Sequence, residues 1–228
     1  MTYKNIVEAK FIKRPNRFLA YCDVGGQEVV SHVRNTGRCR ELFIPGATVF
    51  LEASSNQARK TGYSLIGVMK GQRLVNIDST APNKVIKEAL ENGLILPGLG
   101  KTTLIKPEAS FYGSRFDFYL EAGSKRALVE VKGVTLEKDG LALFPDAPTE
   151  RGVRHVEELI SAKSDGFEAY LVFVVQMKGV TAFTPNAAMH QAFSDAVYRA
   201  QNMGVHVLCY DCIVEKDSLT LGEPVKVI

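Results

Sequence analysis

A change in hydrophobic period near residue 80 constrains this chain more than any other feature. Before it, six short runs rich in β-branched and aromatic residues (IVEAKFI, RFLAYCDV, EVVSHV, ATVFLEA, YSLIGVM and RLVNID) are separated by Gly, Pro and Asn turns. Five or six strands of this length make a small barrel, and an OB-like β-barrel over residues 1–82 suits the count and size. After it, strands near 115–120, 127–136 and 170–177 alternate with helical patterns near 150–164 and 187–203, which predicts an α/β domain over residues 83–228. The stretch APNKVIKEALENG bridges the two as a short helix, with Asn83 as its expected N-cap and Gly93 as its C′ residue. The expected whole is a mixed α/β protein with two small cores, which its 228 residues and 46% hydrophobic content can fill.

No run approaches the roughly 20 apolar residues of a membrane span, and no opening apolar stretch reads as a signal peptide, so a cytoplasmic protein without a membrane partner is expected. The four cysteines are too few for a disulfide framework. The C-x-x-C at 209–212 lies in VHVLCYDCIV, whose alternation reads as a strand, and residues three apart on a strand face opposite ways. These two are therefore read as structural thiols. GLGKTT at 98–103 resembles the end of a phosphate-binding loop, but Ile95 stands where G-x-x-x-x-G-K-[ST] requires glycine, so no nucleotide cradle is expected there.

Charge is unevenly spread. Residues 1–80 hold 12 Lys and Arg against 6 Asp and Glu, a net +6, while the remainder holds 16 against 19, a net −3. A basic barrel beside a mildly acidic domain suits a polyanion on the first and a metal on the second. The barrel's candidates for nucleic-acid contact are Arg14, Arg17, Phe18, His32, Arg34, Arg38, Arg40, Arg59 and Lys60; an ordinary solvated surface is the alternative.

The segment SRFDFYLEAGSKRALVEVKGVTL reads as two strands about a tight turn, with Gly123 at the first central position of a type II′ hairpin. A two-residue loop places Ala122 opposite Lys125, Glu121 opposite Arg126 and Asp117 opposite Glu130. The second pairing is electrostatically sensible; the third sets two carboxylates against each other, so something positive is expected between them. Alternation puts Lys132 on the face of Glu130, and Phe116, Phe118 and Leu120 on the face away from Asp117. A hard divalent cation, Mg²⁺ or Mn²⁺, held by Asp117 and Glu130, with Lys132 orienting or deprotonating a water, is suited to phosphodiester hydrolysis. A charged surface hairpin is the alternative. Glu108 is a candidate third carboxylate. Downstream, Pro148 and Thr149 open a helix on which Arg151, His155 and Glu158 share one face, suited to phosphate contact or to support of the metal ligands. Asp146 is either a further ligand or a turn residue, and His190 and His206 are read as structural.

The runs RPNRFLA, HVRNTGRCREL, RKTGYSL, PEASFYGSRFDF, VEVKGVTL and FPDAPTERGVRHVEEL together resemble the sugar fermentation stimulation protein family, SfsA, along nearly the whole chain. The resemblance implies an N-terminal OB-like domain and a C-terminal domain similar to the PD-(D/E)XK nucleases. It also implies DNA binding and a link to regulation of sugar, notably maltose, metabolism. By it Asp117, Glu130 and Lys132 take the D and E-x-K positions, and Glu108 that of an upstream acid often found in the first helix. The motif is degenerate, since Phe116 rather than proline precedes Asp117. The expected activity is that of a metal-dependent nuclease on DNA, with RNA a further substrate to test and a homodimer where both strands are cut; a non-catalytic DNA-binding regulator on the same scaffold is the alternative.

Overall fold

Six short strands in sequence expose two sheet edges unless the sheet closes on itself, and here it does. In the computed structural model, which describes residues 1–228 apart from Thr36, Gln57 and Tyr112, the barrel is built from β1 (Ile6–Lys13), β2 (Leu19–Val24), β3 (Gln27–Val33), β4 (Thr48–Ala53) and β5 (Tyr63–Lys70). The first strand pairs antiparallel with both β2 and β4. A short parallel contact between β3 and β5, from Ser31↔Tyr63 to Val33↔Leu65, completes the ring. The sixth run, β6 (Arg73–Asn76), extends β5 beyond it. Every run read as a strand is one, and alternate residues such as Ala9 and Phe11, Ala20 and Cys22, or Val49 and Leu51 fill the interior.

The helix α1 (Ala81–Glu91) follows directly. Its N-cap is Thr80, so Asn83, read as the cap, stands instead in the first turn with its side chain free for other work. Gly93 closes the helix at φ +95°, the left-handed conformation a C′ glycine supplies. Beyond it β7 (Leu104–Phe111), β8 (Ser114–Ala122) and β9 (Lys125–Val134) form an antiparallel meander. A small second sheet comprises β10 (Leu136–Lys138), β11 (Leu141–Phe144), β13 (Ala182–Pro185) and β16 (Lys226–Val227). The helices α2 (Glu150–Ser164) and α3 (Gln191–Asn202) separate β12 (Glu168–Val175) and β14 (His206–Val214), and β15 (Leu219–Pro224) ends the main sheet, ordered β15-β14-β12-β9-β8-β7. The third helix begins four residues later than its pattern suggests because Met189 and His190 donate to the Asn186 carbonyl in a turn.

The strand β12 reads as an almost unbroken apolar run because both its faces are covered. Ala169, Leu171 and Phe173 pack toward α2 and α3, while Tyr170, Val172 and Val174 pack toward α1. Cys209 and Cys212 divide between the same two layers, as their spacing on a strand requires. The layer beneath α2 and α3 is continuous with the barrel interior, so one apolar core crosses the junction. A buried polar chain crosses it too. Gln176 donates to Asn76 Oδ1 at 2.8 Å and to the Asp78 carbonyl at 2.9 Å, and Asn76 donates to the Tyr3 hydroxyl at 2.9 Å. Asp78 in turn receives Arg34 at 3.1 Å and, through its other oxygen, the Thr80 amide and hydroxyl at 2.9 and 2.8 Å. The start of α1 is thereby fixed to the barrel.

Candidate active site

The hairpin that carries the candidate carboxylates turns at Gly123, φ +59°, and pairs Ala122 with Lys125 and Glu121 with Arg126, the register its turn predicts. Glu121 and Arg126 nonetheless find other partners: Glu121 accepts from the Tyr119 hydroxyl at 2.6 Å, and Arg126 lies over the Phe167 ring at 4.6 Å. Pairing runs to Phe118↔Val129 and stops there. One step further the Val131 amide bonds the Asp117 carboxylate, Oδ2, at 2.7 Å. Alternation breaks at the same place. Phe118 and Leu120 pack toward α1, but Phe116, expected on their face, joins the opposite layer with its ring 6.3 Å from that of His155. The residue facing this break on β7, Glu108, has φ +56°, a backbone twist an unbranched strand would not need.

Two helices reach the point where β8 and β9 part. From the first turn of α1, Asn83 Nδ2 donates to Asp117 Oδ1 at 2.6 Å. From α2, the buried His155 bonds Glu130 Oε1 through Nδ1 at 2.6 Å, and Lys132 Nζ meets the same oxygen at 2.5 Å. Because Arg151 Nε donates to His155 Nε2 at 3.2 Å, that ring nitrogen must be an acceptor. The imidazole proton therefore sits on Nδ1 and is donated to Glu130. Glu130 Oε2 is buried with no hydrogen-bond partner.

The two carboxyls respond oppositely. Burial, reinforced by the charge of Glu130, pushes Asp117 above the usual carboxylate range, against the pull of Val131, Asn83 and Lys132. Burial pushes Glu130 up as well, but the His155 bond and the Lys132 ammonium outweigh it and hold it below that range. With both ionised, one lysine faces two negative charges. The spare acceptor capacity is Glu130 Oε2 and one lone pair on each Asp117 oxygen.

Asp117, Glu130 and Lys132 thus come together, and Arg151 and His155 stand behind them. Glu158, the third residue of that helix face, accepts from the Ser114 hydroxyl at 2.7 Å at the start of β8. Glu108 does not join them. It lies in a strand rather than in the first helix, is 70% exposed, and pairs with Arg115 at 3.5 Å. Among the described residues no group of three or more His, Cys, Asp and Glu is placed so that it could hold a metal ion by itself. Asp146 lies against the barrel loop instead, where a Cβ on Gly37 would fall 2.6 Å from its carboxylate. The member that sequence reading missed is Asn83, whose only signal was an amide in the first turn of the helix preceding the hairpin.

The barrel's basic residues divide in the same way. Arg14 is structural: its guanidinium donates to the carbonyls of Arg17, Asn35, Gly37 and Arg38 at 2.7–3.0 Å and stacks on Phe43. Arg34 is held by Glu52 at 2.6 Å and by Asp78. Arg59 donates to Ser64 at 3.1 Å. Arg17, Arg38 and Arg40 are exposed around a cavity of about 670 Å³ that also touches Ala147 of the second domain, while the exposed Lys60 is not part of its wall. Phe18, His32 and Arg34 border a separate cavity of about 380 Å³ with Lys84 of α1.

Comparison with known proteins accords with this architecture. The model of the SfsA N-terminal OB domain matches residues 12–77, and that of the sugar fermentation stimulation protein RE domain matches residues 80–218. A sugar fermentation stimulation protein homolog from Desulfitobacterium hafniense is 55% identical over 227 residues, covering 100% of this chain and 98% of its own. One from Clostridium beijerinckii is 51% identical over the full length of both. The solved structure of Pyrococcus furiosus SfsA in complex with Ca²⁺ superposes with a TM-score of 0.90 at 26% identity, covering 100% of this chain and 98% of that one. With both domain models matched in order and relatives of this identity along its whole length, the chain belongs to the sugar fermentation stimulation protein family, SfsA.

Proposed function

We propose that the protein binds nucleic acid, DNA in the first instance, and hydrolyses its backbone at Asp117, Glu130 and Lys132 with a divalent cation, Mg²⁺ or Mn²⁺. The observation that carries the reading is the buried Glu130 Oε2, left without a partner beside a second, partly buried carboxylate, Asp117. Lys132 and His155 satisfy Oε1 alone, and a buried polar atom left without a hydrogen bond costs about 1–3 kcal/mol, a cost a ligand on that oxygen would remove. Asp117 and Glu130 would hold the cation, whose remaining positions water and a phosphate oxygen suit. When bound it supplies charge neutralisation at the phosphoryl oxygens and a more acidic water. Lys132, positioned by Glu130, orients the attacking water and offsets charge on the phosphate. His155 keeps Glu130 ionised and aimed, and Asn83 with the Val131 amide does the same for Asp117. The Ca²⁺ in the Pyrococcus furiosus relative is a hard cation of the same ligand preference, which supports the assignment.

A second reading, a DNA-binding regulator without catalysis, draws support from one observation: both Asp117 oxygens already accept hydrogen bonds from the protein. Cleavage of labelled single- and double-stranded DNA and RNA in Mg²⁺ or Mn²⁺ decides between them. The nuclease reading expects cutting by the wild type, and its loss in D117A and K132A with binding retained. Binding without cutting in either metal gives the regulator.

A further inference from the structure

With Arg14 and Arg34 committed to the fold, four of the remaining barrel cations, Lys13, Arg17, Arg38 and Arg40, fall in one place, while Lys60 lies apart from it. Arg38 and Arg40 have no side-chain partner among the described residues, and Arg17 and Lys13 lie only over aromatic rings, Phe18 at 5.4 Å and Tyr21 at 4.8 Å. All four border the 670 Å³ cavity, whose described wall contains no acidic side chain and whose floor includes Phe43 and Pro45. Ala147 from the second domain forms one side. Through Gly37 and Ala147 it shares a wall with a neighbouring cavity of about 310 Å³, which reaches Gly133, the residue after Lys132, and Thr149, the N-cap of α2. The basic channel with an apolar floor therefore lies on the barrel, and the cavity beside it, lined by Asp146 and by no Lys or Arg, reaches the strand that carries Lys132.

Resting on the nuclease reading above, we infer that this channel takes one strand of polynucleotide, and hence that the substrate has an unpaired stretch. Its volume is that of a small-molecule pocket. A duplex could lie only across its mouth, whereas a single strand can place its phosphates on the cationic rim and its bases on the apolar floor and guanidinium planes.

The test is fluorescence anisotropy of the full chain in EDTA with labelled dT and rU oligomers of about 15 nucleotides and a blunt duplex of equal length. Either single strand should bind about tenfold or more tighter than the duplex. R38A/R40A, which removes exposed and unpartnered side chains, should lose about tenfold on the single strand, and the slope of log affinity against log salt should fall by about 1.4, at roughly 0.7 per phosphate contact. K216A/K226A, removing two cations outside the channel, should lose far less. Duplex bound as tightly as either single strand, or an R38A/R40A variant that matches wild type, overturns the inference. Because EDTA prevents metal-dependent cutting, failure here leaves the carboxylate site standing, and failure of the cleavage assay leaves the channel standing.

Discussion

Replacing Asp117 by asparagine should stabilise the metal-free protein. The substitution keeps the shape and both hydrogen bonds, since the oxygen of the introduced amide can accept from Val131 while its nitrogen donates to an Asn83 side chain turned to accept. What it removes is charge. Asp117 and Glu130 lie one step past the last ladder pair of β8 and β9; taken as unit charges about 5 Å apart, they repel by about 3 kcal/mol at an effective dielectric near 20. Lys132 attracts Asp117 and offsets part of this. A net gain of about 1–2 kcal/mol remains, which for a chain of this size is roughly 2–8 °C in Tm. Scanning calorimetry in EDTA at pH 8 measures it. The advantage should shrink as pH falls: a carboxyl whose folded pKa is raised penalises folding above that pKa, and protonating the wild type removes the penalty. Mg²⁺ at 100 times its Kd adds about 2.7 kcal/mol to the wild type and much less to D117N, so the order of melting should reverse. A D117N protein that melts below wild type in EDTA, with no reversal in Mg²⁺, would refute the two-charge account of the site.

Further expectations follow from single contacts. N83A removes a bond that holds the Asp117 carboxyl down, so the pH at which Mg²⁺ begins to stabilise the protein should move up; an unmoved midpoint denies Asn83 its positioning role. R14A strips charged donors from four loop carbonyls and should cost about 2 kcal/mol or more in chemical denaturation, whereas R38A should stay within about 0.5 kcal/mol. Burial pushes the Cys39 and Cys212 thiols up to about 12 and Cys209 higher still. With Cys22 also buried, a thiol reagent at pH 8 should label none of the four within minutes in the native protein and all of them in guanidinium.

The barrel was legible because its strands are amphipathic and bounded by turn residues, and a period of two survives in the composition of each run. The hairpin register was legible because Gly123 fixes it. The small second sheet was not: β10, β13 and β16 are two to four residues long and carry too few side chains to show a period. Nor was the fate of Phe116, since the break beside Asp117 depends on a side chain displacing the ladder, which alternation alone does not encode. Arg14 and Arg34 looked like surface cations for the same reason: what occupies a guanidinium is a matter of loop carbonyls and acids distant in sequence. Asn83 gave the opposite error, a residue type favoured at caps that here serves another strand.

The polar chain from Tyr3 through Asn76, Asp78 and Gln176, embedded in a core common to both halves, bears on how such a protein can change over evolutionary time. Severing the chain near residue 80 would strand a buried aspartate on one piece and a buried glutamine on the other, and would bare apolar surface on each. Neither piece makes a serviceable building block for recombination with other domains. Barrel and sheet are bound to be gained, lost and inherited as a pair, and the protein should melt in a single cooperative step.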